Sequence, residues 1–495
     1  VMMLALGVTA FAEDNGGAAT TYKITAPATT HQYEIYQIFT GDLSNGVLSN
    51  VKWGENGKGT KGETVAENDL NALTAVNSRS DREKLDVIKQ YAVLSNPVAT
   101  ITNGGIYTAA AGYYLIKDKD GTVTGTDTYT TYIVEVVGNV TIAPKSEVPS
   151  FEKKIKDTND TTGETSGWQD SADYDIGDAV PFKLEGTVSS KYADYKQYYF
   201  AFHDVEETGL TFNRDSVKVY VNDTEITTGY EVKTSGITDG CSFEVIFSNL
   251  KEIASVQAGS KIRVEYTSTL NNGAVIGNQG NLNKAKLEFS NNPNEEQDGN
   301  KKPSTGETPW DNVIVFTYKV VINKYANSVA EGNKLSGAEF TLEKIVKDTN
   351  VEGGSRKDIV AVVKSEDGTS FTFNGLDDGD YILTETKTPA TYNTITPITF
   401  KVTAEHKIEW TLADSEGNRR TDVLTSLSGA KVTGEISFNV AKEDGQLSAD
   451  VVNMSGSTLP STGGMGTTIF YVVGTILVLA AVVLLITKKR MHADK

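Results

Sequence analysis

Along most of the chain, apolar residues alternate with polar ones at a spacing of two. Val217-Lys218-Val219-Tyr220-Val221, Lys261-Ile262-Arg263-Val264-Glu265-Tyr266 and Ser370-Phe371-Thr372-Phe373 are examples. Side chains of an extended strand point to opposite faces in turn, so this pattern predicts strands with one buried and one solvated face. Gly, Asn and Asp break the runs into short pieces, and the few prolines gather at places that read as boundaries. The expected fold is mainly β, with sandwiches in series. Helical spacing is confined to the first part. Residues 80–94 open on a capping box, Ser80 with Glu83, and set Leu85, Val87 and Ile88 on one side; residues 64–76 form a second, less sharply patterned candidate. Asp118-Lys119-Asp120-Gly121 starts like a calcium loop, but the later ligand positions are wrong, so it reads as a hairpin turn.

Both ends break the alternation. No charged residue occurs over 463–487, the stretch 469–486 is nearly all apolar, and Lys488-Lys489-Arg490 follow. About 20 residues of helix cross a bilayer core, and a basic cluster marks the cytoplasmic side. A transmembrane helix is therefore expected over 466–487, with a cytoplasmic tail at 488–495 and everything earlier outside the cell. At the other end, Met2 to Ala10 is apolar and Ala10-Phe11-Ala12 is a small-x-small cleavage pattern. Residues 1–12 read as the remnant of a signal peptide whose start is missing, and the mature protein as about 13–462.

A mature chain of this length suggests about three domains. Their expected bounds are 13–145, 146–293 and 313–456, with a polar linker over 294–312. The net charge of −19, from 65 acidic and 46 basic residues, disfavours nucleic acid and anionic membrane surfaces as partners. Cys241 is the single cysteine, so no intrachain disulfide can form, although extracellular proteins of this size often use them. His31, His203, His406 and His492 are scattered without metal-ligand spacing. No cofactor is expected, and His203, beside Asp204, reads as structural or exposed. No nucleophile, metal or paired-carboxylate site points to an enzyme.

Leu459-Pro460-Ser461-Thr462-Gly463, followed by the apolar run and the basic tail, resembles the sorting signal of Gram-positive surface proteins. That resemblance implies that a sortase cuts between Thr462 and Gly463 and passes the Thr462 carbonyl to an amine. Lys302-Pro303-Ser304-Thr305-Gly306 has a similar core but lacks the Leu and any following apolar run, so it reads as linker.

A second resemblance lies in the third domain. Lys324 is followed by Leu335-Ser336-Gly337-Ala338-Glu339-Phe340, by Tyr381-Ile382-Leu383-Thr384-Glu385-Thr386-Lys387-Thr388-Pro389 and by Val451-Val452-Asn453. This pattern is similar to the Ig-like, Cna-B-type pilin domain, which implies a spontaneous isopeptide bond between Lys324 and Asn453 promoted by Glu385. Thr388 and Thr391 stand where Ala and Gly are usual, and neither change is expected to touch the acid. The chemistry explains the residue types. Burial makes a lysine amine neutral and nucleophilic, and keeps a carboxylic acid protonated so that it can polarise the Asn carbonyl and pass a proton to ammonia. First and last strands lying side by side would bring Lys and Asn together.

The second domain resembles the isopeptide-forming second domain of major pilins. Phe151-Glu152-Lys153-Lys154 opens it, His203-Asp204 precedes Thr208-Gly209-Leu210-Thr211-Phe212, and Asn283-Lys284-Ala285-Lys286 leads its closing run. The resemblance implies Lys153, Asp204 and Asn283, with Lys154 as rival amine and Asn281 as rival amide. The first domain, through Tyr22-Lys23-Ile24-Thr25, Tyr33-Glu34-Ile35-Tyr36 and Ala111-Gly112-Tyr113-Tyr114, resembles the N-terminal domain of backbone pilins. Ala143-Pro144-Lys145 then matches the place of the pilin motif, which implies that the Lys145 amine attacks the sortase acyl enzyme. An isopeptide in this domain would need Lys23 with Asn139, and no acid in a recognisable box accompanies them.

Together these resemblances imply a Gram-positive backbone pilin of the cell surface. Its partners would be class C and housekeeping sortases, identical subunits, accessory pilins, peptidoglycan and a host ligand. The alternative is a monomeric wall-anchored adhesin, which has no need of Lys145. In a fibre, tension would run from residue 145 to 462, and each intramolecular bond would tie a domain's first strand to its last.

Overall fold

The computed structural model describes residues 21–44, 47–76, 81–142, 149–295, 301–410, 420–456 and 471–483. The segments and residues singled out at 1–12, Ser80, Lys145, 459–463 and 488–495 lie outside them.

In the first region, Gly112–Asp118 is almost all apolar and is buried on both faces. Tyr113 and Leu115 point to one side, where helices Glu67–Thr74 and Asp81–Lys89 bring Leu73, Leu85 and Ile88. Tyr114 and Ile116 point to the other side, against Ile24 and Ala109 of a small second sheet. The main sheet runs Val47–Trp53, Gln32–Ser44, Gly112–Asp118, Thr131–Val136, and the small one Ile106–Ala110, Thr21–Thr25, Val140–Thr141. The two expected helices are present but short. Asp118 ends a strand, and Lys119 and Thr122 close the turn after it.

The second region is a sandwich. One sheet runs Thr224–Ile226, Leu210–Val221, Lys261–Leu270, Ala179–Thr187, Phe151–Ile155. The facing sheet runs Ser171–Asp173, Asp311–Phe316, Asn281–Ser290, Phe200–Glu206, Phe243–Phe247, Glu231–Lys233, and Thr305–Glu307 also pairs with Asn281–Ser290. The expected linker over 294–312 is thus not a free tether. Val313, Val315 and Phe316 are fully buried, which draws their strand into the sheet and carries Asp311 and Asn312 with it. The lysine-proline-serine-threonine-glycine stretch at 302–306 likewise runs into a paired strand, Thr305–Glu307.

The third region is a sandwich of two five-stranded sheets. One runs Val362–Lys364, Ser370–Leu376, Tyr318–Ala326, Gln446–Asn453, Phe438–Ala441; the other Ser355–Val360, Glu339–Lys347, Gly379–Lys387, Ile398–His406, Leu424–Thr433. Its first strand follows the last strand of the second sandwich after Thr317 alone, and Leu282, Ile314 and Phe316 pack into its core. Polar contacts close the same junction. The buried ammonium of Lys344 is ringed by Asp377, by Asp175 at 2.5 Å and by Asp160 at 3.0 Å. His406 Nε2 faces Asp157 at 3.5 Å and Asp173 at 3.8 Å.

Residues 471–483 are helical with exposed side chains. Among the described residues, no helix is long and apolar enough to cross a membrane. The span expected over 466–487 is described only in this part.

Candidate crosslink sites

Strand alternation places the three residues of the third sandwich. Tyr318, Val320, Ile322 and Lys324 share the inward face of the first strand; Leu447, Ala449, Val451 and Asn453 share that of the last; Tyr381, Leu383 and Glu385 share that of Gly379–Lys387 in the facing sheet. First and last strands run parallel as neighbours, with Lys324 opposite Val451 and Ala326 opposite Asn453. Lys324 and Asn453 are therefore diagonal neighbours on one face, and both are 0 % exposed.

The side chains meet. Lys324 Nζ donates to Asn453 Oδ1 and lies 3.8 Å from Glu385 Oε1. Asn453 Nδ2 donates to Glu385 Oε1 and Oε2 at 2.9 and 3.0 Å. The amine thus faces the carbonyl end of the amide, and the nitrogen that would leave faces the acid. Burial pushes the Lys324 amine down to about 8, against the opposing pull of Glu385. The Ile395 N–H and the Thr388 hydroxyl donate to Glu385 Oε2 at 3.1 and 3.3 Å. Thr388 does touch the acid, contrary to expectation, because its hydroxyl supplies a donor that the usual Ala lacks. Thr391 sits at φ 73°, the left-handed region that favours the glycine usual at that place.

In the second sandwich, Lys153, Asp204 and Asn283 are each 0 % exposed. Lys153 Nζ donates to Asp204 Oδ2 at 2.5 Å and to Tyr266 Oη at 2.7 Å. Tyr266 donates to Asp204 Oδ2 at 2.7 Å and accepts from Asn283 Nδ2 at 3.0 Å. Burial pushes the Lys153 amine down, against the pull of Asp204, and pushes the Asp204 carboxyl up. Both shifts favour a neutral amine beside a neutral acid. Asn283 Oδ1 and Asp204 Oδ1 are buried without hydrogen-bond partners, which is costly in a finished core and matches groups poised to react.

The rivals lie elsewhere. Lys154, next along the strand, points outward to Asp170 at 2.7 Å and Glu409 at 3.2 Å. Asn281 closes a loop, accepting from the Val275 N–H at 2.8 Å and donating to the Val275 and Val315 carbonyls. In the first region, Asn139 accepts from the Lys23 backbone N–H at 2.9 Å, and the Lys23 side chain is exposed.

Sequence reasoning missed Tyr266 and Glu206. Tyr266 was readable, since Ile262, Val264, Tyr266, Ser268 and Leu270 alternate on the inward face. Glu206 lies opposite Asn283 in the ladder and is pushed up to about 7 by burial and by neighbouring Asp204. The expectation that a bond ties first strand to last holds its geometry only in the third sandwich. In the second, Phe151–Ile155 and Asn281–Ser290 lie in different sheets, and the last strand is Asp311–Phe316.

Residues 176–293 match the family described as Gram-positive pilin backbone subunit 2, Cna-B-like domain; residues 319–416 match the SpaA prealbumin-like fold domain; residues 452–492 match the LPXTG cell wall anchor motif. The chain is 26 % identical over 414 residues to the trypsin-resistant surface T6 protein of Streptococcus pyogenes serotype M6, covering 71 % of each. Solved structures with similarity include the T6 backbone pilin of S. pyogenes, at 18 % identity, TM-score 0.49, and 90 % and 100 % coverage of the two chains. The full-length major pilin SpaD of Corynebacterium diphtheriae gives 18 %, 0.49, 90 % and 99 %. The chain thus carries pilin-backbone domains and a cell-wall anchor segment.

Proposed function

We propose that this chain is the structural backbone subunit of a pilus attached to the cell wall, stiffened by two self-made Lys–Asn amides and assembled by sortase. The observation that carries the reading is the buried set of Lys324, Glu385 and Asn453, with the amine on the amide carbonyl and the acid on the amide nitrogen. Neutral Lys324 Nζ attacks Asn453 Cγ, the bond to Nδ2 breaks, the proton lost by the amine passes by way of Glu385 to the departing nitrogen, and ammonia leaves. Lys153, Asp204 and Asn283 carry out the same exchange in the second sandwich. Each is a single self-modification without turnover.

Assembly uses the two ends of the load path. A class C sortase cuts between Thr462 and Gly463, and Lys145 of another subunit takes the Thr462 carbonyl. A housekeeping sortase joins the basal subunit to peptidoglycan. The apolar segment over 466–487 holds each subunit at the membrane until the cut. Accessory pilins and a host ligand complete the set of partners for such a fibre. The expected domains 13–145, 146–293 and 313–456 are redrawn so that the second takes in the strand Asp311–Phe316 and the third starts at its own first strand, Tyr318–Ala326.

Wild-type cells are expected to show an SDS-resistant ladder of high-mass species that collapses to one band in Lys145→Ala. A single band in the wild type overturns the fibre and favours the monomeric adhesin.

A further inference from the structure

Pairing in the second sandwich brings a histidine, an aspartate, a glutamate and the single cysteine to one place. His203 lies directly opposite Glu244 in the ladder between Phe200–Glu206 and Phe243–Phe247. Asp239 and Cys241 sit on the turn just before, where Gly240 at φ 83° reverses the chain and the Cys241 N–H donates to Asp239 Oδ1 at 3.1 Å. His203 Nδ1 is 2.8 Å from Asp239 Oδ2, 3.4 Å from Glu244 Oε1 and 3.9 Å from Cys241 Sγ, and Sγ is 3.3 Å from Asp239 Oδ2.

We propose that His203, Asp239 and Cys241 bind a zinc-class divalent ion, with water in the fourth position. Metal bonds of about 2.0–2.3 Å at tetrahedral angles set donor atoms roughly 3.3–3.6 Å apart. The three separations among His203, Asp239 and Cys241, 2.8, 3.3 and 3.9 Å, scatter around that range by about half an ångström, so an ion needs only small side-chain shifts. The imidazole is already oriented for it. Its Nε2 lies 3.0 Å from Glu288 Oε2, while the other oxygen of that carboxylate takes the Lys302 ammonium at 2.6 Å and the Thr305 hydroxyl at 2.5 Å. Without an ion both ring nitrogens face carboxylates and carry protons; on binding, the Nδ1 proton leaves to solvent, and the Nε2–H held by Glu288 fixes the remaining tautomer. Glu244, with Oε2 on Lys233 at 3.2 Å and Oε1 3.4 Å from His203 Nδ1, stands beside the cluster as a neighbouring charge.

The donor set selects the ion. Imidazole and thiolate are soft ligands that suit zinc and its neighbours, whereas calcium and magnesium take oxygen. On binding, the Cys241 S–H bond gives way to an S–metal bond and its proton passes to solvent. One carboxylate and one thiolate balance the charge of the cation.

The purified protein, stripped with chelator, is titrated with Co²⁺ and then Zn²⁺. One Co²⁺ per chain is expected, with visible bands of tetrahedral strength and a near-ultraviolet thiolate-to-cobalt band; Zn²⁺ bleaches both, and excess Ca²⁺ or Mg²⁺ does not. Cys241→Ser loses the near-ultraviolet band and binds at least tenfold more weakly. His203→Gln and Asp239→Asn weaken binding similarly, with unchanged circular dichroism. A wild-type protein that gives no tetrahedral cobalt spectrum, or a Cys241→Ser variant with wild-type spectrum and affinity, overturns the proposal. Displacement by Ca²⁺ at equal concentration does so too.

Discussion

Replacing Glu385 with Gln tests the proposed chemistry with little change of shape. A glutamine keeps the side-chain length and can still meet Asn453 Nδ2 and the Ile395 N–H through its carbonyl oxygen. It cannot relay the proton that departing ammonia needs. The amine remains ready. With Lys324 near 8, against 10.5 for a free lysine, the neutral fraction at pH 7 is about 300-fold above that of an exposed lysine. Loss of the bond then isolates the role of the acid. The closed loop from Lys324 to Asn453 holds about 130 residues, so its constraint on the unfolded chain is worth about 5 kcal/mol on the entropic account. For a unit of this size that corresponds to a fall of about 15–25 °C in the unfolding midpoint of the third sandwich. Intact-mass measurement reads the chemistry directly. Wild type should be lighter than its sequence by two ammonia and Glu385→Gln by one. A wild-type mass equal to the sequence refutes both bonds. A Glu385→Gln protein still lighter by two refutes the acid's role.

Other outcomes follow from the same geometry. Tyr266→Phe removes the hydroxyl that links Lys153, Asp204 and Asn283. On refolding it should form the second-sandwich amide at least tenfold more slowly, by timed mass measurement, with the third-sandwich bond unaffected. Asp204→Ala should lose that amide alone. Lys344→Met strands Asp160, Asp175 and Asp377 without their shared cation, and chemical denaturation should show a loss of about 3–5 kcal/mol at the junction. His406 is desolvated, but Asp157 and Asp173 outweigh burial and raise it to about 9. Because the folded value lies above the unfolded one, its contribution is complete below about 6.5 and is lost as pH rises through about 9. Thermal midpoints across that window should fall in wild type and stay flat, relative to other groups, in His406→Gln.

The period-two alternation carried most of the fold into view. The resemblance to the Cna-B-type domain, not the alternation, singled out Lys324, Glu385 and Asn453, which lie on inward faces beside Ile322, Leu383 and Val451; a count of two could have recovered Tyr266 from its neighbours Val264 and Ser268. What the alternation could not supply was pairing between distant segments. Asn294 to Asn312 is polar and punctuated like a tether, yet the four apolar residues after it belong to the preceding sheet. His203 and Cys241 show no ligand spacing because the ladder between Phe200–Glu206 and Phe243–Phe247, just after the turn that carries Cys241, and not their separation in sequence, brings them together. Lys344 and His406 alternate like any strand residues, and most of the acids that hold them, Asp160 and Asp175 for the lysine and Asp157 and Asp173 for the histidine, come from the other sandwich.

The strand Asp311–Phe316 lies outside both covalent loops. With amides at Lys153–Asn283 and Lys324–Asn453, the 41 residues that follow Asn283 as far as Lys324 form the uncrosslinked part of the path between the two loops. Within it, Asp311–Phe316 pairs antiparallel with the start of Asn281–Ser290, Val315 opposite Asn281 and Val313 opposite Asn283. A load applied at Asn283, the middle rung, and at Phe316, beyond the Val315 rung, therefore peels the ladder from its Phe316 end, rung by rung. Fully drawn out, 41 residues reach roughly 140 Å at about 3.3–3.6 Å each. The subunit would then be inextensible within each loop and compliant between them. Such a segment lengthens under a surge of force, dissipates work as its hydrogen bonds part, and refolds when the force falls.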